Sequence, residues 1–286
     1  MTTTSCHHQS KKGYEIHYQL TGLRQGRLLV LLHGLGGSHD TFTALLPHLP
    51  LSSYKVVAFD FLGFGNSQLR DSSIPLSVAE YVADLDDLIT SLQSTGSVTS
   101  PTNKPEGVVI VGHSLGSIVA LHYAASRPDN VAGLGLIGVG RSASHIPAVR
   151  DRMYALANTV RTQGIHAAAR LAMQTNFLPG SGTPDTDREE VRRAVAASDP
   201  EGYAQVCEAM VNPRHKDPDY LKITCPAVFI CGEGDTISPP ARATELAPLL
   251  GGRSKIFVVN GGHQPIISDV DGTLNALGEL FSSIDA

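Results

Sequence analysis

The sequence contains no apolar run approaching the roughly 18 residues that a membrane-spanning helix requires. Residues 1–12 are polar and lack the apolar core of a secretory signal peptide. The formal net charge is -5, acids and bases are interleaved, and no basic block marks a nucleic-acid surface. We therefore expect a soluble cytoplasmic protein, with residues 1–12 as a disordered tail and with neither a membrane nor a nucleic acid as partner.

The cysteines are few and widely dispersed. They are Cys6, Cys207, Cys225 and Cys231. Their spacing forms neither a zinc motif nor a thioredoxin-like pair, so it indicates no metal site and no redox site. Cys231 lies in an apolar, strand-like run and is expected to be a small buried side chain.

The 286 residues are enough for one sizeable core, and the balance of 42% hydrophobic and 17% charged residues argues against wholesale disorder. Seven short apolar runs predict strands. They span residues 14–20, 27–33, 54–60, 107–112, 132–139, 227–232 and 254–260. Most are apolar throughout, as expected for strands that are buried on both faces of a parallel sheet. Helical patterns between them indicate a βαβ-wound sheet.

One long segment interrupts this alternation. Residues 141–220 contain no strand pattern but several amphipathic helical patches. The patches span residues 148–163, 165–177, 188–197 and 201–211. We expect residues 13–140 and 221–286 to form the core, and this segment to form a helical lid over one end of the sheet. Residues 93–106, rich in Ser, Thr, Pro and Gly, predict a surface loop.

The strongest local motif is Gly112-His113-Ser114-Leu115-Gly116, between a predicted buried strand and a helical run. A serine there lies on a sharp strand-to-helix turn, and the flanking glycines leave room for that turn and for close packing. Its hydroxyl is raised above the sheet edge as a nucleophile. The amide of Leu115, at a helix N-terminus, is a candidate oxyanion donor.

Serine requires a base and an acid that orients the base. Asp235 follows the predicted strand 227–232, and His263 follows the predicted strand 254–260. Each therefore lies at the carboxyl end of a strand, on the edge where α/β sheets bind ligands. Glu233 is a competing acid, which we expect to be solvated. The chain order serine, acid, histidine is one of the orders in which such triads occur.

A second oxyanion donor is expected in the loop that begins His33-Gly34-Leu35-Gly36-Gly37, and Leu35 is the candidate. Its glycines allow backbone amides to turn inward. His33 precedes the nucleophile and lies at the base of the loop, so we expect it to pin the loop. His113 is expected to pack or to hydrogen-bond locally.

From Tyr14 to Phe281 the chain resembles the α/β-hydrolase superfamily. The motifs that carry the resemblance are the loop at 33–36, the turn at 60–67, the Ser114 elbow, the segment 232–235 and the pair at 262–263. The resemblance implies an α/β-hydrolase fold: a mostly parallel central sheet flanked by helices, with a helical lid inserted after the sixth strand of that fold.

Residues 196–203 are similar to a lid segment of 3-oxoadipate enol-lactonases. The oxyanion loop, however, begins His-Gly where those enzymes often have Asn-Ser, and residues 174–177 lack the expected Arg-Trp pair. The resemblance therefore implies the reaction class more than the ligand.

We expect a serine hydrolase that cleaves a carboxylic ester or lactone through an acyl-enzyme, with no cofactor and no metal. The same triad also serves carbon–carbon bond hydrolases, cofactor-free perhydrolases and slow-turnover ligand receptors. Dehalogenases and epoxide hydrolases require an Asp where Ser114 stands. The expected substrate is small and mostly apolar, and the expected state is a monomer or homodimer. The candidate pocket walls are Gly36, Phe64, Val139, Met173, Phe177, Ile237 and Pro265.

Overall fold

The computed structural model describes residues 3–94, 106–178, 180 and 182–284. Eight strands of this part of the chain form one sheet in the order β1-β2-β4-β3-β5-β6-β7-β8. The strands are β1 (Thr4–Gln9), β2 (Glu15–Gly22), β3 (Arg27–Leu32), β4 (Tyr54–Phe59), β5 (Val108–His113), β6 (Val131–Ile137), β7 (Ala227–Gly232) and β8 (Ser254–Val259). Strand β2 pairs antiparallel with β1 and β4, and the remaining pairs are parallel. The predicted α/β fold class is confirmed.

Strand β1 corrects the expectation that residues 1–12 form a disordered tail. Its six residues pair in register with β2, from Thr4 opposite Leu20 to Gln9 opposite Glu15. The His8 ring lies 3.1 Å from an Asp87 carboxylate oxygen. The strand runs along the sheet edge and is mostly exposed or half-buried. An edge strand needs no apolar run, so a search for apolar runs misses it.

The central strands are apolar because helices cover both faces of the sheet. Every residue of β5 and β7 is buried. Helices α1 (Val78–Ser94) and α2 (Leu115–Ser126) belong to the hydrophobic cluster on one face, while α9 (Val270–Ile284) belongs to the cluster on the other. The predicted loop at 93–106 lies mostly outside the described residues. No described helix combines the length and apolar character needed to cross a bilayer.

Four helices follow β6 within the predicted lid segment. They are α3 (Pro147–Gln163), α4 (Ile165–Thr175), α5 (Asp185–Ala196) and α6 (Pro200–Met210). Buried residues of α6, including Tyr203 and Val206, join the same hydrophobic cluster as the sheet. The Asp199 amide also donates to the Gly63 carbonyl at 3.0 Å. This helical segment therefore packs directly on the part of the chain that carries the sheet. Two further helices, α7 (Pro240–Leu246) and α8 (Pro265–Ser268), follow β7 and β8.

Candidate active site

Ser114 lies between β5 and α2 with φ 52° and ψ -111°. Among the described residues, it is the non-glycine with a positive φ. A Cβ on Gly112 would lie 2.4 Å from the Gly116 carbonyl oxygen, and a Cβ on Gly116 would lie 2.1 Å from that of Leu32. Both glycines are therefore needed for the turn. Backbone strain of this kind costs about 1–3 kcal/mol and concentrates at functional sites.

Asp235 and His263 meet behind the nucleophile, at the ends of β7 and β8. The His263 Nδ1–H donates to Asp235 Oδ2 at 2.8 Å, and the two residues are 5% and 3% exposed. Asp235 Oδ1 accepts the amides of Ile237 and Ser238, each at 2.8 Å. Burial would raise the pKa of Asp235, but the hydrogen bond and charge of His263 and these two amides lower it. The carboxylate is thus ionised at neutral pH and fixes the tautomer of His263 with Nε2 free to accept a proton.

The competing acid is placed differently. Glu233 is exposed, and its backbone amide donates to the Val259 carbonyl at 2.9 Å. Asp235 is therefore the acid that contacts His263, and the structure brings Ser114 and His263 to the wall of one cavity.

Two backbone amides at the nucleophile lack acceptors. Leu115 is the first residue of α2, so its amide has no partner within the helix. Leu35 lies in the turn that the Gly37 amide closes on the Gly34 carbonyl at 3.0 Å. Among the described residues, none accepts a hydrogen bond from either amide. A Cβ on Gly34 would lie 3.2 Å from Ser114 Cβ, so this loop is adjacent to the nucleophile. An oxyanion hole needs free amides in such a position.

His33 and His113 hold loops in place. The His33 Nδ1–H donates to the Gly34 carbonyl at 2.7 Å, and its Nε2 accepts the Phe61 amide at 3.1 Å. The His113 Nε2–H donates to the carbonyl of His263 at 2.7 Å. Burial lowers the pKa of both, to about 3 for His113, where the charge of His263 adds to the effect. Both rings are therefore neutral, and their geometry fits the supporting roles expected from the sequence.

Sequence reasoning missed a contact between residues 141–220 and the candidate base His263. The His263 amide donates to the Asn176 carbonyl at 2.7 Å. The Asn176 side-chain oxygen accepts from Gln264 Nε2 at 3.0 Å. Asn176 directly follows α4, so the lid fixes the backbone of the loop that carries the base. Neither Asn176 nor Gln264 belongs to a motif, and nothing local in the sequence indicates that they contact each other.

A buried charge network that sequence reasoning also missed anchors the far end of the oxyanion loop. Asp60 accepts the Nδ1–H groups of His17 and His39 at 2.7 and 2.8 Å, and the amide of Asn66 at 2.9 Å. Its other oxygen accepts the His39 amide. Burial would raise the pKa of Asp60, but hydrogen bonds from both histidines lower it strongly. Burial would lower the pKa of His39, but the hydrogen bond and charge of Asp60 raise it.

The same three side chains are the ones that could hold a metal in the described part of the chain. Their ligand atoms lie within 4.8 Å of one another. Both ring nitrogens nearest the carboxylate are already engaged with it, so His17, Asp60 and His39 act here as a hydrogen-bonded anchor.

A cavity of about 940 Å³ lies over Ser114, between the oxyanion loop, the His263 loop and helices α3 to α6. Its apolar lining includes Met153, Leu156, Leu171, Val191 and Met210. Gly36 and Ile237, two of the predicted wall residues, also line it. The apolar wall is therefore supplied mainly by helices α3 to α6.

The other five predicted wall residues do not line the cavity, which corrects that part of the prediction. Phe64 and Val139 are each 1% exposed and belong to the main core. Phe177 is 2% exposed, with the Arg188 guanidinium 5.2 Å from its ring centroid. Pro265 is buried at the start of α8.

Met173 is excluded by helix geometry. The α4 residues that line the cavity are Ala168, Leu171, Ala172 and Thr175. This spacing of three and four defines one face of the helix, and a residue two positions from Leu171 does not share that face.

A family model described as "Alpha/beta hydrolase family" matches residues 29–275. A curated relative, the pimeloyl-[acyl-carrier protein] methyl ester esterase of Xanthomonas oryzae pv. oryzae, is 26% identical over 278 residues, which cover 94% of this chain and 100% of the relative.

Two solved structures are similar to the whole chain. A thermophilic esterase from Thermogutta terrifontis matches with a TM-score of 0.82 at 23% identity, covering 100% of both chains. The enol-lactonase from Burkholderia xenovorans LB400 matches with a TM-score of 0.80 at 22% identity, covering 97% of this chain and 100% of that one. At these identities the likeness shows the shared fold.

Proposed function

Because the chain belongs to the α/β-hydrolase family and is a hydrolase, we propose that it cleaves a carboxylic ester or a lactone through an acyl-enzyme on Ser114. The observation that carries the proposal is the strained Ser114 beside a cavity that it shares with His263, with the His263 ring bonded to the buried Asp235. Relatives named as an esterase and an enol-lactonase act on such bonds, which supports the same class of reaction.

In the proposed mechanism, His263 Nε2 takes the proton of Ser114 as the hydroxyl oxygen attacks the substrate carbonyl. The amides of Leu35 and Leu115 donate to the oxygen that becomes negative. Removal of one such donor typically costs about 100- to 1000-fold in kcat. His263 then gives its proton to the leaving alcohol oxygen, and the acyl-enzyme forms.

Deacylation repeats the sequence with water. His263 removes a proton from water, hydroxide oxygen attacks the acyl carbonyl, and Ser114 leaves with the proton. Asp235 stays ionised and stabilises the imidazolium in both halves. In a lactone the leaving alcohol stays attached to the acyl part, so one product results where an ester gives two.

The test is covalent labelling with a fluorophosphonate, followed by peptide mapping and by a panel of acyl esters and lactones. We expect the label on Ser114, and both labelling and turnover to be lost in Ser114→Ala. Ser126→Ala, an exposed serine at the end of the same helix, is the matched control and should keep both. Label on another serine, or turnover that survives in Ser114→Ala, would contradict the proposal.

A further inference from the structure

An arginine without an ionic partner lines the cavity. Arg152 lies in the second turn of α3 and forms part of the wall that also contains Ser114, Met153 and Ile237. Its neighbour Arg150 pairs with Asp151. In the described part of the chain, no carboxylate pairs with Arg152. A cation on the cavity wall that no carboxylate of the described residues pairs with is able to bind an anion.

Further positive charge lies beside it. Arg242, on α7 shortly after Asp235, is half-buried and has no ion pair with a described residue. Burial lowers the pKa of Arg242, and repulsion from Arg141 and Arg152 adds to the effect, while Glu245 and Asp235 act against it.

The charges that could neutralise this edge are mostly engaged elsewhere. Asp217 accepts a hydrogen bond from Arg141 Nε at 2.9 Å. Asp235 is bonded to His263 and to two amides. Glu245 is exposed. The edge of the cavity next to the Asp235 loop is therefore positive.

The edge beside the oxyanion loop carries charges of both signs. Asp40, which lies 3.4 Å from the His39 ring, lines the cavity there with Glu190 and Arg193. Burial raises the pKa of Glu190, and repulsion from Asp187 and Asp40 adds to the effect, while Arg193 lowers it. An anionic group inside the cavity therefore meets acids and bases together at the Asp40 edge, and an excess of positive charge at the Arg152 edge.

We propose that the cavity takes an ester that carries an anionic group, a carboxylate or a phosphate, which Arg152 binds while Arg242 adds positive potential behind it. The guanidinium fork matches the paired oxygens of either group. The apolar side chains between Ser114 and Arg152 would hold the intervening carbon chain. The inference rests on the proposed ester hydrolysis and changes the expectation from an uncharged substrate to a charged one.

The first experiment compares esters that differ by one charge. p-Nitrophenyl hexanoate is paired with mono-p-nitrophenyl adipate, which places a carboxylate on the acyl part. Phenyl hexanoate is paired with 4-carboxyphenyl hexanoate, which places it on the alcohol part. The measured quantity is the ratio of kcat/KM for the charged ester to that for the neutral one, at low and high salt.

For one of the two pairs, we expect this ratio to exceed the corresponding ratio for uncatalysed hydrolysis. In Arg152→Gln the ratio should fall about tenfold, which is the effect of losing one partly exposed hydrogen bond to a charged group. Salt should reduce the ratio in the wild type. Arg150→Gln, on the same helix but paired with Asp151, is the matched control and should keep it. No charge preference in either pair, or an equal change in both arginine variants, would overturn the subsite.

A binding experiment separates this inference from the proposed function. Calorimetry on Ser114→Ala compares monoethyl adipate with ethyl hexanoate, and repeats both with the Arg152→Gln change added. If the anion binds more tightly than the neutral ester, if this preference depends on Arg152, and if the wild type turns over neither ester, then ester hydrolysis is refuted and the subsite is kept. Turnover of neutral esters without any anion preference refutes the subsite and keeps ester hydrolysis.

Discussion

Asp235→Asn should preserve the shape of the active site while inverting the tautomer of the base. In the wild type Oδ1 accepts the amides of Ile237 and Ser238, and Oδ2 accepts the Nδ1–H of His263. An asparagine can keep its oxygen on the two amides, which leaves its NH₂ facing Nδ1. Nδ1 must then accept, the proton moves to Nε2, and Nε2 can no longer take the proton of Ser114.

A wrong tautomer in such a triad costs roughly 10⁴-fold in kcat. At about 1.36 kcal/mol for each tenfold step, this corresponds to about 5.4 kcal/mol of lost transition-state stabilisation. The assay is kcat for a short p-nitrophenyl ester, with circular dichroism to show that the variant is folded. Glu233→Gln, at an exposed carboxylate two residues earlier, is the control and should retain wild-type activity.

The same substitution has a pH signature. The pKa of Asp235 is lower in the folded state than its ordinary value. Its ionised form therefore stabilises the fold above the unfolded-state value of about 3.9, and this contribution is lost as pH falls through the folded-state pKa. The difference in Tm between wild type and Asp235→Asn should be largest near neutral pH and shrink in acid. An Asp235→Asn variant within tenfold of wild-type kcat, together with an inactive Glu233→Gln, would refute the assignment of the acid.

Four further substitutions test other parts of the structure. Gly116→Ala places a Cβ 2.1 Å from the Leu32 carbonyl oxygen and should destabilise the protein by about 3 kcal/mol or more; an unchanged midpoint of urea unfolding would contradict this. His39→Gln should cost more stability at pH 6 than at pH 9. The pKa of His39 is raised, so the contribution of its charged form to stability is full at low pH and is lost as pH rises through that pKa. A difference in the urea-unfolding midpoint that does not depend on pH would contradict this. Leu156→Ala should change the relative kcat/KM values across acyl chain lengths by about 10- to 200-fold. Phe177→Ala, at a core position, should instead cost about 3–5 kcal/mol of stability and leave the ranking of chain lengths unchanged. The reverse pattern would show that Phe177 contacts substrate.

The buried strands were predictable because their environment leaves a local pattern. Strand β7 was predicted at its observed bounds, and its six residues are all buried. Ser114, Asp235 and His263 were proposed because each follows a predicted strand, and parallel strands bring their carboxyl ends to one edge. The strands before Ser114 and Asp235 are buried, whereas β8, which precedes His263, is a partly exposed edge strand.

The cavity wall was not predictable, because helical spacing identifies an apolar face without saying what it faces. Phe177 and Met173 belong to an apolar pattern in the lid, yet Phe177 is in the core and Leu171 lines the cavity. A helix packed between a core and a cavity presents apolar residues to both. Strand β1 was missed for the opposite reason, since an edge strand requires no apolar residues.

Asn176 connects residues 141–220 to the loop that carries His263. The sequence places no triad candidate in residues 141–220, and sequence reasoning therefore gave this segment no contact with the His263 loop. In the structure, the His263 loop is held from three sides: Asp235 bonds its side chain, His113 its carbonyl, and Asn176 its amide. Helix α4, which lines the cavity through Leu171, ends directly before Asn176. The same helix thus contributes to the cavity wall and, through Asn176, to the support of the His263 backbone.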